Sequence, residues 1–231
     1  MKLETKNQKR YTDYSSYVKK KFGGRVQKVS INAGFTCPNI DGSKGKGGCT
    51  YCNNNTFNPE YCKPIKPISQ QIDEGIAFFA QMYKSQKYLA YFQAFTNTYA
   101  PLEELKQKYE EALKHKDVIG LVIATRPDCI TNEILDYLEQ LVKDGNFIKL
   151  EFGLESTNNK TLELINRCQS HEDAIKAFEM AKNRRILLGA HIILGLPGES
   201  KKDMLEGALA INKLPVDTLK IHHLQIVKHT M

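Results

Sequence analysis

Six short runs of apolar and β-branched residues recur along the chain and predict six strands. The runs are 26–33 ("VQKVSINA"), 88–95, 119–125, 148–154, 188–195 and 218–227. Most of them are almost continuously apolar, which is typical of strands whose two faces are both covered in a parallel sheet. The pattern therefore favours a buried parallel sheet.

Five amphipathic stretches, with apolar residues every three or four positions, separate these runs and predict helices. They span 68–84, 101–115, 131–145, 171–185 and 200–214. Start and stop signals agree, because Thr131 and Ser200 stand where a helix N-cap is expected and Gly145 stands where a helix would end. Repeated strand–helix alternation implies right-handed parallel crossovers.

Two architectures fit this alternation: an open doubly wound sheet and a barrel. Six units are too few for the eight-stranded barrel, whereas a curved α/β partial (β/α)6 TIM-like barrel of parallel strands fits the count. We expect a basic N-terminal arm over residues 1–25 and the barrel over 26–231. Because the chain ends just after the sixth strand, we expect a C-terminal extension to be absent from it.

Composition indicates a water-soluble domain. Hydrophobic residues make up 41% of the 231 positions and charged residues 26%. No run of 18 apolar residues predicts a membrane span, and no apolar segment follows the basic N-terminus as in a secretory signal. We therefore expect a cytoplasmic protein, in which six cysteines are metal ligands or buried thiols before they are disulfides.

The net charge of +7 is concentrated at the N-terminus. Residues 1–30 hold nine Lys or Arg against two acidic residues, and the remainder of the chain is balanced. Clustered lysines favour a polyanionic partner such as RNA, since they neutralise phosphates and release counterions. A solvated tail that only keeps the protein soluble is the alternative.

Polar or glycine-rich loops follow every predicted strand. The loops are 34–52, "TNTYAP" (96–101), "TRPD" (125–128), "GLES" (153–156), "GLPGES" (195–200) and "HHL" (222–224). In α/β folds the carboxyl ends of the strands carry the functional residues. The six loops therefore predict one site at one rim of the barrel.

Three cysteines, Cys37, Cys49 and Cys52, lie within the first of these loops, "GFTCPNIDGSKGKGGCTYC". Four thiolates would make a closed structural zinc site, with Cys62 as the fourth ligand. Three thiolates would instead hold a [4Fe–4S] cluster with one iron left open for a substrate or cofactor. Spacing alone leaves both readings open.

These cysteines and loops resemble those of the radical S-adenosylmethionine (SAM) enzymes, from about residue 22 to residue 231. That family has three cysteines after the first strand of a partial (β/α)6 barrel, usually as C-x3-C-x2-C. The first gap here, "PNIDGSKGKGG", has eleven residues. This departure resembles the group that contains the Elongator catalytic subunit and its bacterial relatives, which "GFTCPN", "FQAFTNTYAP", "TRPD" and "LGLPGE" also resemble.

The resemblance implies a [4Fe–4S] cluster and SAM as cofactors, with Cys37, Cys49 and Cys52 as the cluster ligands. Tyr51 matches an aromatic position that packs near the adenine of SAM. The loop Thr96–Asn97–Thr98 replaces the family's Gly-Gly-Glu, and Asn97 and Thr98 are expected to accept hydrogen bonds from the methionine ammonium of SAM.

Four further residues match cofactor-binding positions of related enzymes: Glu155, Arg167, His191 and Gly195. Arg167 would pair with the SAM carboxylate, His191 would face the ribose, and the "GLPGE" backbone would approach the adenine. Each has an ordinary alternative. Arg167 can cap a helix, Glu155 can pair with Arg126, His191 can be a satisfied core histidine, and the glycine can simply form a turn.

The activity implied by the resemblance is reductive cleavage of SAM to a 5′-deoxyadenosyl radical that abstracts a hydrogen atom from the substrate. By analogy with the Elongator relative, and because Lys44, Lys46 and the basic arm favour an anion, we expect tRNA modified at a wobble uridine. An electron donor of flavodoxin or ferredoxin type would be a second partner. The alternatives are a radical oxidoreductase on a small molecule and a non-catalytic zinc-binding RNA module.

Overall fold

Six strands form one sheet in the structure, a computed structural model that describes residues 10–83, 86–228 and 230. Every neighbouring pair is parallel, in the order β1-β2-β3-β4-β5-β6. The strands are β1 (Val26–Ile31), β2 (Lys87–Phe92), β3 (Val118–Thr125), β4 (Phe147–Glu155), β5 (Leu187–Leu194) and β6 (Thr218–His223). All six predicted strands are confirmed, and the sheet curls into the predicted partial barrel.

Eight α-helices and one 3-10 helix accompany the sheet in the described part of the chain. They are α1 (Tyr14–Phe22), α2 (Asn54–Phe57), α3 (Ile68–Ala80), α4 (Leu102–Leu113), the 3-10 helix (Pro127–Cys129), α5 (Asn132–Lys143), α6 (Asn159–Leu164), α7 (His171–Ala181) and α8 (Lys201–Ile211). The five predicted helices are confirmed with shorter ends, although residue 84, the predicted end of α3, lies outside the described residues. The prediction missed α1, α2 and α6.

The predicted helix boundaries rest on the expected caps. The side chain of Thr131 accepts a hydrogen bond from the backbone N–H of Ile134 at 3.3 Å. Ser200 and Asp203 cap each other's backbone N–H groups reciprocally at the start of α8. Gly145 follows α5 with φ +93°, a left-handed conformation that glycine adopts without strain.

The two faces of the sheet differ in chemistry. The outward face packs on the helices through buried aromatic pairs, with Phe92 edge-on to Tyr109 of α4 and Phe152 edge-on to Phe178 of α7. Burying each large apolar side chain contributes roughly 1.5–3 kcal/mol. The inward face combines a buried apolar cluster, which includes Leu89, Val122 and Phe147, with polar side chains that the almost continuously apolar strand pattern did not predict.

Helix α1 closes the end of the barrel at which the strands begin. Phe22 packs edge-on against Phe147 with ring centroids 5.2 Å apart, and the first residue of β2, Lys87, donates to the carbonyl of Phe22 at 3.4 Å. The predicted arm therefore contains a docked helix, whose exposed Lys19, Lys20 and Lys21 face away from the loops that follow the strands. Residues 1–9 of the arm lie outside the described residues.

Candidate active site

A cavity of about 750 Å³ opens at the carboxyl ends of the strands, where the sequence predicts the site. Its size is in the range of small-molecule and cofactor sites. The cavity brings together seven of the predicted site residues, which are Cys37, Cys49, Tyr51, Cys52, Glu155, Arg167 and His191. These residues come from β4, β5 and two separate loops, so the fold assembles a site that no single segment contains.

The eleven-residue gap between Cys37 and Cys49 folds back on itself. Glycines with positive φ, Gly42, Gly47 and Gly48, permit the tight turns, and the backbone N–H of Gly48 donates to the carbonyl of Asn39 at 2.8 Å. The long gap therefore returns the chain to the rim, and all three cysteines line one cavity.

Two asparagines tie this loop to the segment after α6. Buried Asn39 donates through Nδ2 to the carbonyl of Asn166 at 2.5 Å and lies 3.5 Å from the Sγ of Cys49. In return, Asn166 donates to the carbonyl of Gly48 at 2.7 Å from a left-handed backbone of φ +51°. Because these amides bond backbone groups on both sides, they fix Cys49 relative to the segment that carries Arg167.

A chain of charges links the same loop to the segment after β3. The Nζ of Lys44 lies 2.6 Å from Asp128, whose other oxygen pairs with the Nε of Arg126 at 2.9 Å. Arg126 also donates to the carbonyls of Arg167 and Cys168 at 3.0 and 3.1 Å. Burial alone would raise the pKa of Asp128, but the hydrogen bond from Arg126 lowers it. Both lysines of this loop are exposed, but Lys44 is paired with Asp128, whereas Lys46 makes no ion pair with the described residues.

Arg167 is buried against the cysteine loop. Its Nη2 donates to the carbonyl of Gly153 at 2.7 Å, and its Nη1 lies 3.6 Å from the Sγ of Cys49. Its Nε is buried without a hydrogen-bond partner in the described residues. Burial lowers the pKa of Arg167, but neighbouring Tyr51, Cys49 and Glu155 outweigh it and the net pKa is raised. Arg167 is therefore a permanent cation with a donor to spare.

Glu155 is aimed at Arg167 by a break in the sheet. Pairing between β4 and β5 shifts register between Gly153 and Glu155, and Glu155 adopts φ +66°, which is strained for a residue with a side chain. Its Oε1 lies 3.7 Å from the Nη2 of Arg167. The alternative pair of Glu155 with Arg126 is not formed, because Arg126 pairs with Asp128.

Three predicted site residues do not line the cavity. Asn97 is fully buried and donates to the carbonyl of Ala124 at 2.8 Å, while Thr98 is hydrogen-bonded to Thr125 at 2.6 Å. Their neighbour Thr96 lines the cavity instead. Gly195 forms an exposed turn with φ +81°. The side chains of Asn97 and Thr98, and the residue Gly195, therefore lie outside the cavity lining. Contacts of their backbone groups with SAM stay a prediction.

The sequence model of the Radical SAM superfamily matches residues 42–209, which is most of the chain. The chain belongs to the radical SAM superfamily. The uncharacterised protein MJ0486 of Methanocaldococcus jannaschii is 39% identical over 223 residues, covering 95% of this chain and 67% of that protein. This radical SAM chain therefore spans about two thirds of the length of that relative.

Two further similarities agree with the predicted Elongator-related group. A tRNA uridine(34) acetyltransferase of Methanocaldococcus infernus is 34% identical over 133 residues, which is 56% of this chain and 24% of that protein. The solved structure of the archaeal Elp3 of the same organism superposes with a TM-score of 0.62 at 19% identity, over 89% of this chain and 47% of that one. The latter likeness shows the shared fold.

The donor set of the cavity fits the cofactors of the superfamily, a [4Fe–4S] cluster and SAM. Soft thiolates are the usual ligands of iron–sulfur clusters, and Cys37, Cys49 and Cys52 are free thiols at one cavity. Among the described residues no three His, Cys, Asp or Glu side chains converge as they would around a single metal ion.

Cys62 lies apart from the three cavity cysteines. Its side chain is 3% exposed and packs with Val29, Tyr61 and Tyr88, outside the cavity lining. Burial raises the pKa of its thiol to about 12, as it does for Cys52 at the cavity, so position and not pKa separates Cys62 from the cavity cysteines. The structure therefore does not assemble the four-cysteine zinc site that the spacing left open.

The sequence analysis missed a charged cluster on the floor of the cavity, around Glu151. Its Oε1 lies 2.7 Å from the Nζ of both Lys28 and Lys149, and its Oε2 is hydrogen-bonded to the Nε2 of His191 at 2.9 Å. A period-2 alternation of Lys149, Glu151, Gly153 and Glu155 in "KLEFGLE" is the signal that could have found it, since it places these residues on one face of β4. His191 is thus a polar cavity residue and not a core histidine.

Burial and the neighbouring charges shift the pKa values of the floor residues. Burial alone would raise the pKa of Glu151, but the hydrogen bond from His191 and the charges of Lys28 and Lys149 lower it. Burial lowers the pKa of Lys149 to about 8, against the attraction of Glu151. Burial, together with Lys220 and His191, lowers the pKa of His222 to about 4. Glu151 is therefore ionised and His222 neutral near pH 7.

Proposed function

We propose that this radical SAM enzyme modifies tRNA at a wobble uridine. The observation that carries the proposal is the 34% identity to a tRNA uridine(34) acetyltransferase over 133 residues. The shared segment covers little more than half of this chain, so the acetyl-transfer part of that relative's name is not carried over. The class of macromolecule is carried over.

In this proposal Cys37, Cys49 and Cys52 ligate three irons of the cluster and leave the fourth iron to SAM. When bound, the cluster and SAM supply the 5′-deoxyadenosyl radical that abstracts hydrogen from a substrate. The chain's own contribution is to hold the carboxylate of SAM, for which the unpartnered Nε of Arg167 is suited, because a guanidinium pairs well with two-oxygen anions.

Three further side chains would orient SAM. Tyr51 packs on Leu162 and Ile193 and presents its ring to the cavity, where it would contact the adenine. His191, held by Glu151, would face the ribose, and Glu155 would accept from the methionine ammonium of SAM. Asn97, Thr98 and Gly195 would act only through backbone groups.

Exposed lysines at the rim would contact the tRNA backbone. They are Lys46 in the cysteine loop, Lys63 between β1 and α3, and Lys228 after β6, where the carbonyl of Lys228 accepts from Asn53 at 2.9 Å. Lys19, Lys20 and Lys21 lie at the opposite end of the barrel and would contribute nothing to this contact. This placement revises the expectation that the basic arm serves the site.

The proposal is tested by adding total tRNA to the anaerobically reconstituted enzyme with SAM and dithionite, and by mass spectrometry of the nucleosides. We expect a new modified uridine, and tRNA binding that weakens with salt because phosphate contacts release counterions. Replacement of Lys46, Lys63 and Lys228 by Ala should weaken binding, whereas replacement of Lys19, Lys20 and Lys21 should not. Turnover of a small molecule, with salt-insensitive or absent tRNA binding, would contradict the proposal.

A one-electron reductant is needed for this chemistry, and we propose a flavodoxin or ferredoxin as the donor. No helix within the described ranges has the length and apolarity needed to cross a membrane. We place the enzyme in the cytoplasm, where tRNA and such donors are found.

A further inference from the structure

The floor of the cavity carries more positive than negative charge. Glu151 is the carboxylate of the floor cluster, and Lys28 and Lys149 both lie 2.7 Å from the same oxygen of it. Lys28 and Lys149 lie behind the cavity lining, whereas a third lysine, Lys220 on β6, lines the cavity itself. The other charged lining residues are paired, Glu155 with Arg167 and Arg126 with Asp128.

Lys220 is the floor lysine that remains available. Within the part of the chain that the structure describes, its Nζ makes no ion pair, and its recorded contact is with the ring of Tyr91 at 5.7 Å from the centroid. Lys28 and Lys149 are engaged with Glu151 and covered by Tyr14 of α1, whose ring centroid lies 5.1 and 4.3 Å from their Nζ atoms. A lysine that is exposed to the cavity and makes no direct ion pair can pair with an anion that enters the cavity.

Other polar side chains line the cavity together with Lys220. His222 lies two residues along β6, and its ring centroid is 5.6 Å from that of His191. Gln93 lines the same wall and donates to Ser30 at 3.0 Å, which orients its amide. Cations flanked by imidazole and amide donors form a typical oxyanion site.

We propose that the cavity floor binds the oxyanion group, a carboxylate or a phosphate, of a small-molecule co-substrate, with Lys220 as its main ligand and His191, His222 and Gln93 as neighbours. The ligand is small because α1 closes the floor from below and the whole cavity measures about 750 Å³. A polynucleotide backbone on the rim would leave this floor unoccupied. The inference rests on the cavity and not on tRNA being the substrate.

The test is a titration of the reconstituted full-length chain, labelled with 13C in its histidines, with malonate and separately with inorganic phosphate. Ionic strength is held constant with chloride. We expect saturable shifts of the His191 and His222 resonances, while His115 and His171, outside the cavity lining, stay still. Lys220→Ala should weaken binding at least tenfold. The matched control Lys202→Ala, on exposed α8, should leave it unchanged.

Both arms of the titration are informative. Binding of malonate alone identifies a carboxylate co-substrate and binding of phosphate alone identifies a phosphorylated one. Absence of saturable shifts with both anions, or equal binding by the Lys220→Ala chain, overturns the proposal. Because Lys220 is exposed, its replacement should not unfold the protein, and Lys220→Arg should retain binding. The readout requires no turnover and no tRNA, so its failure leaves the proposed function standing.

Discussion

The guanidinium of Arg167 lies 3.6 Å from the thiol of Cys49, although 118 positions separate the two residues in the chain. The contact joins the loop after β1 to the segment after α6, and asparagine bonds on both sides of it hold the geometry. A permanent cation beside the Cys49 sulfur would lower the free-energy cost of gathering thiolates in the proposed cluster site. We therefore propose that Arg167 serves both the cluster site and the SAM site.

Substitution of Arg167 can separate the effect of its charge from the effect of its hydrogen-bonding geometry. Arg167→Lys keeps the charge but loses the planar fork that reaches Gly153 and the cavity together, so we expect about tenfold weaker SAM binding, roughly 1–2 kcal/mol. Equilibrium dialysis with the reconstituted protein measures it. Arg184→Lys, which alters a surface pair with Asp136, is the matched control. Unchanged SAM affinity in Arg167→Lys would remove the assignment.

The cysteines divide into ligands and bystanders. Cys37→Ala, Cys49→Ala and Cys52→Ala should each abolish the cluster, because a site with two thiolates cannot hold it. Cys62→Ala should keep it and cost only about 1 kcal/mol from lost packing against Tyr61. Iron and sulfide content after anaerobic reconstitution decides. A full cluster without Cys49, or a lost cluster without Cys62, would contradict this division.

Gly45 is required by space and not by its backbone conformation. A Cβ at this position would lie 2.0 Å from the Oδ1 of Asn39 and 2.6 Å from the Sγ of Cys168. We expect Gly45→Ala to destabilise the cysteine loop by about 1–3 kcal/mol, as overpacking does, and to lower cluster content. Gly24→Ala, where a Cβ meets open space, is the control for thermal unfolding and iron content. Equal behaviour of the two variants would show that the loop has room to spare.

Glu151 holds the floor of the barrel together. The side chain of Glu151 is only 1% exposed, and Glu151→Gln would leave Lys28 and Lys149 without their counter-charge. We expect the substitution to lower the free energy of unfolding by about 3–5 kcal/mol. Glu74→Gln, which breaks a partly exposed pair with Lys66, should cost much less because solvent screens that pair. Thermal unfolding of the two variants compares them directly. A loss of stability in Glu151→Gln no larger than in the control would mean that the cluster contributes no net stability.

The same carboxylate sets a pH dependence. The pKa of Glu151 is lowered from its ordinary value of 4.5 in the folded state, so the stabilisation it gives is complete above about pH 4.5 and is lost as the pH falls further. Stability measured by unfolding at decreasing pH should therefore fall less steeply for Glu151→Gln than for the wild-type chain. Parallel curves would refute the coupling.

The fold was predictable because its local patterns agree with its global arrangement. Strand runs, the Thr131 and Ser200 caps and the Gly145 stop each correspond to an element in the structure. Helix α1 was missed because the sequence analysis assigned its lysine-rich segment, "YSSYVKKKF", to the basic arm, although Tyr14, Val18 and Phe22 recur at helical spacing. It is held by contacts such as Phe22 on Phe147, which are distant in sequence.

The residues of the candidate site were predictable only where they belong to a recognisable sequence motif. The cysteines, Glu155 and Arg167 were found from spacing and resemblance. The inward side chains of Glu151 and Lys220 were missed because apolar neighbours in each strand masked their alternation. Asn97 does not line the cavity, because its amide donates to the carbonyl of Ala124, and its role in SAM binding stays a prediction.

The central claim is that three cysteines hold a cluster that cleaves SAM, and its most direct test is the formation of 5′-deoxyadenosine. The anaerobically reconstituted chain is incubated with SAM and dithionite, beside the Cys37, Cys49 and Cys52 variants. We predict 5′-deoxyadenosine from the wild-type chain and none from the three variants. No product from a wild-type chain that binds zinc in place of iron would contradict the account.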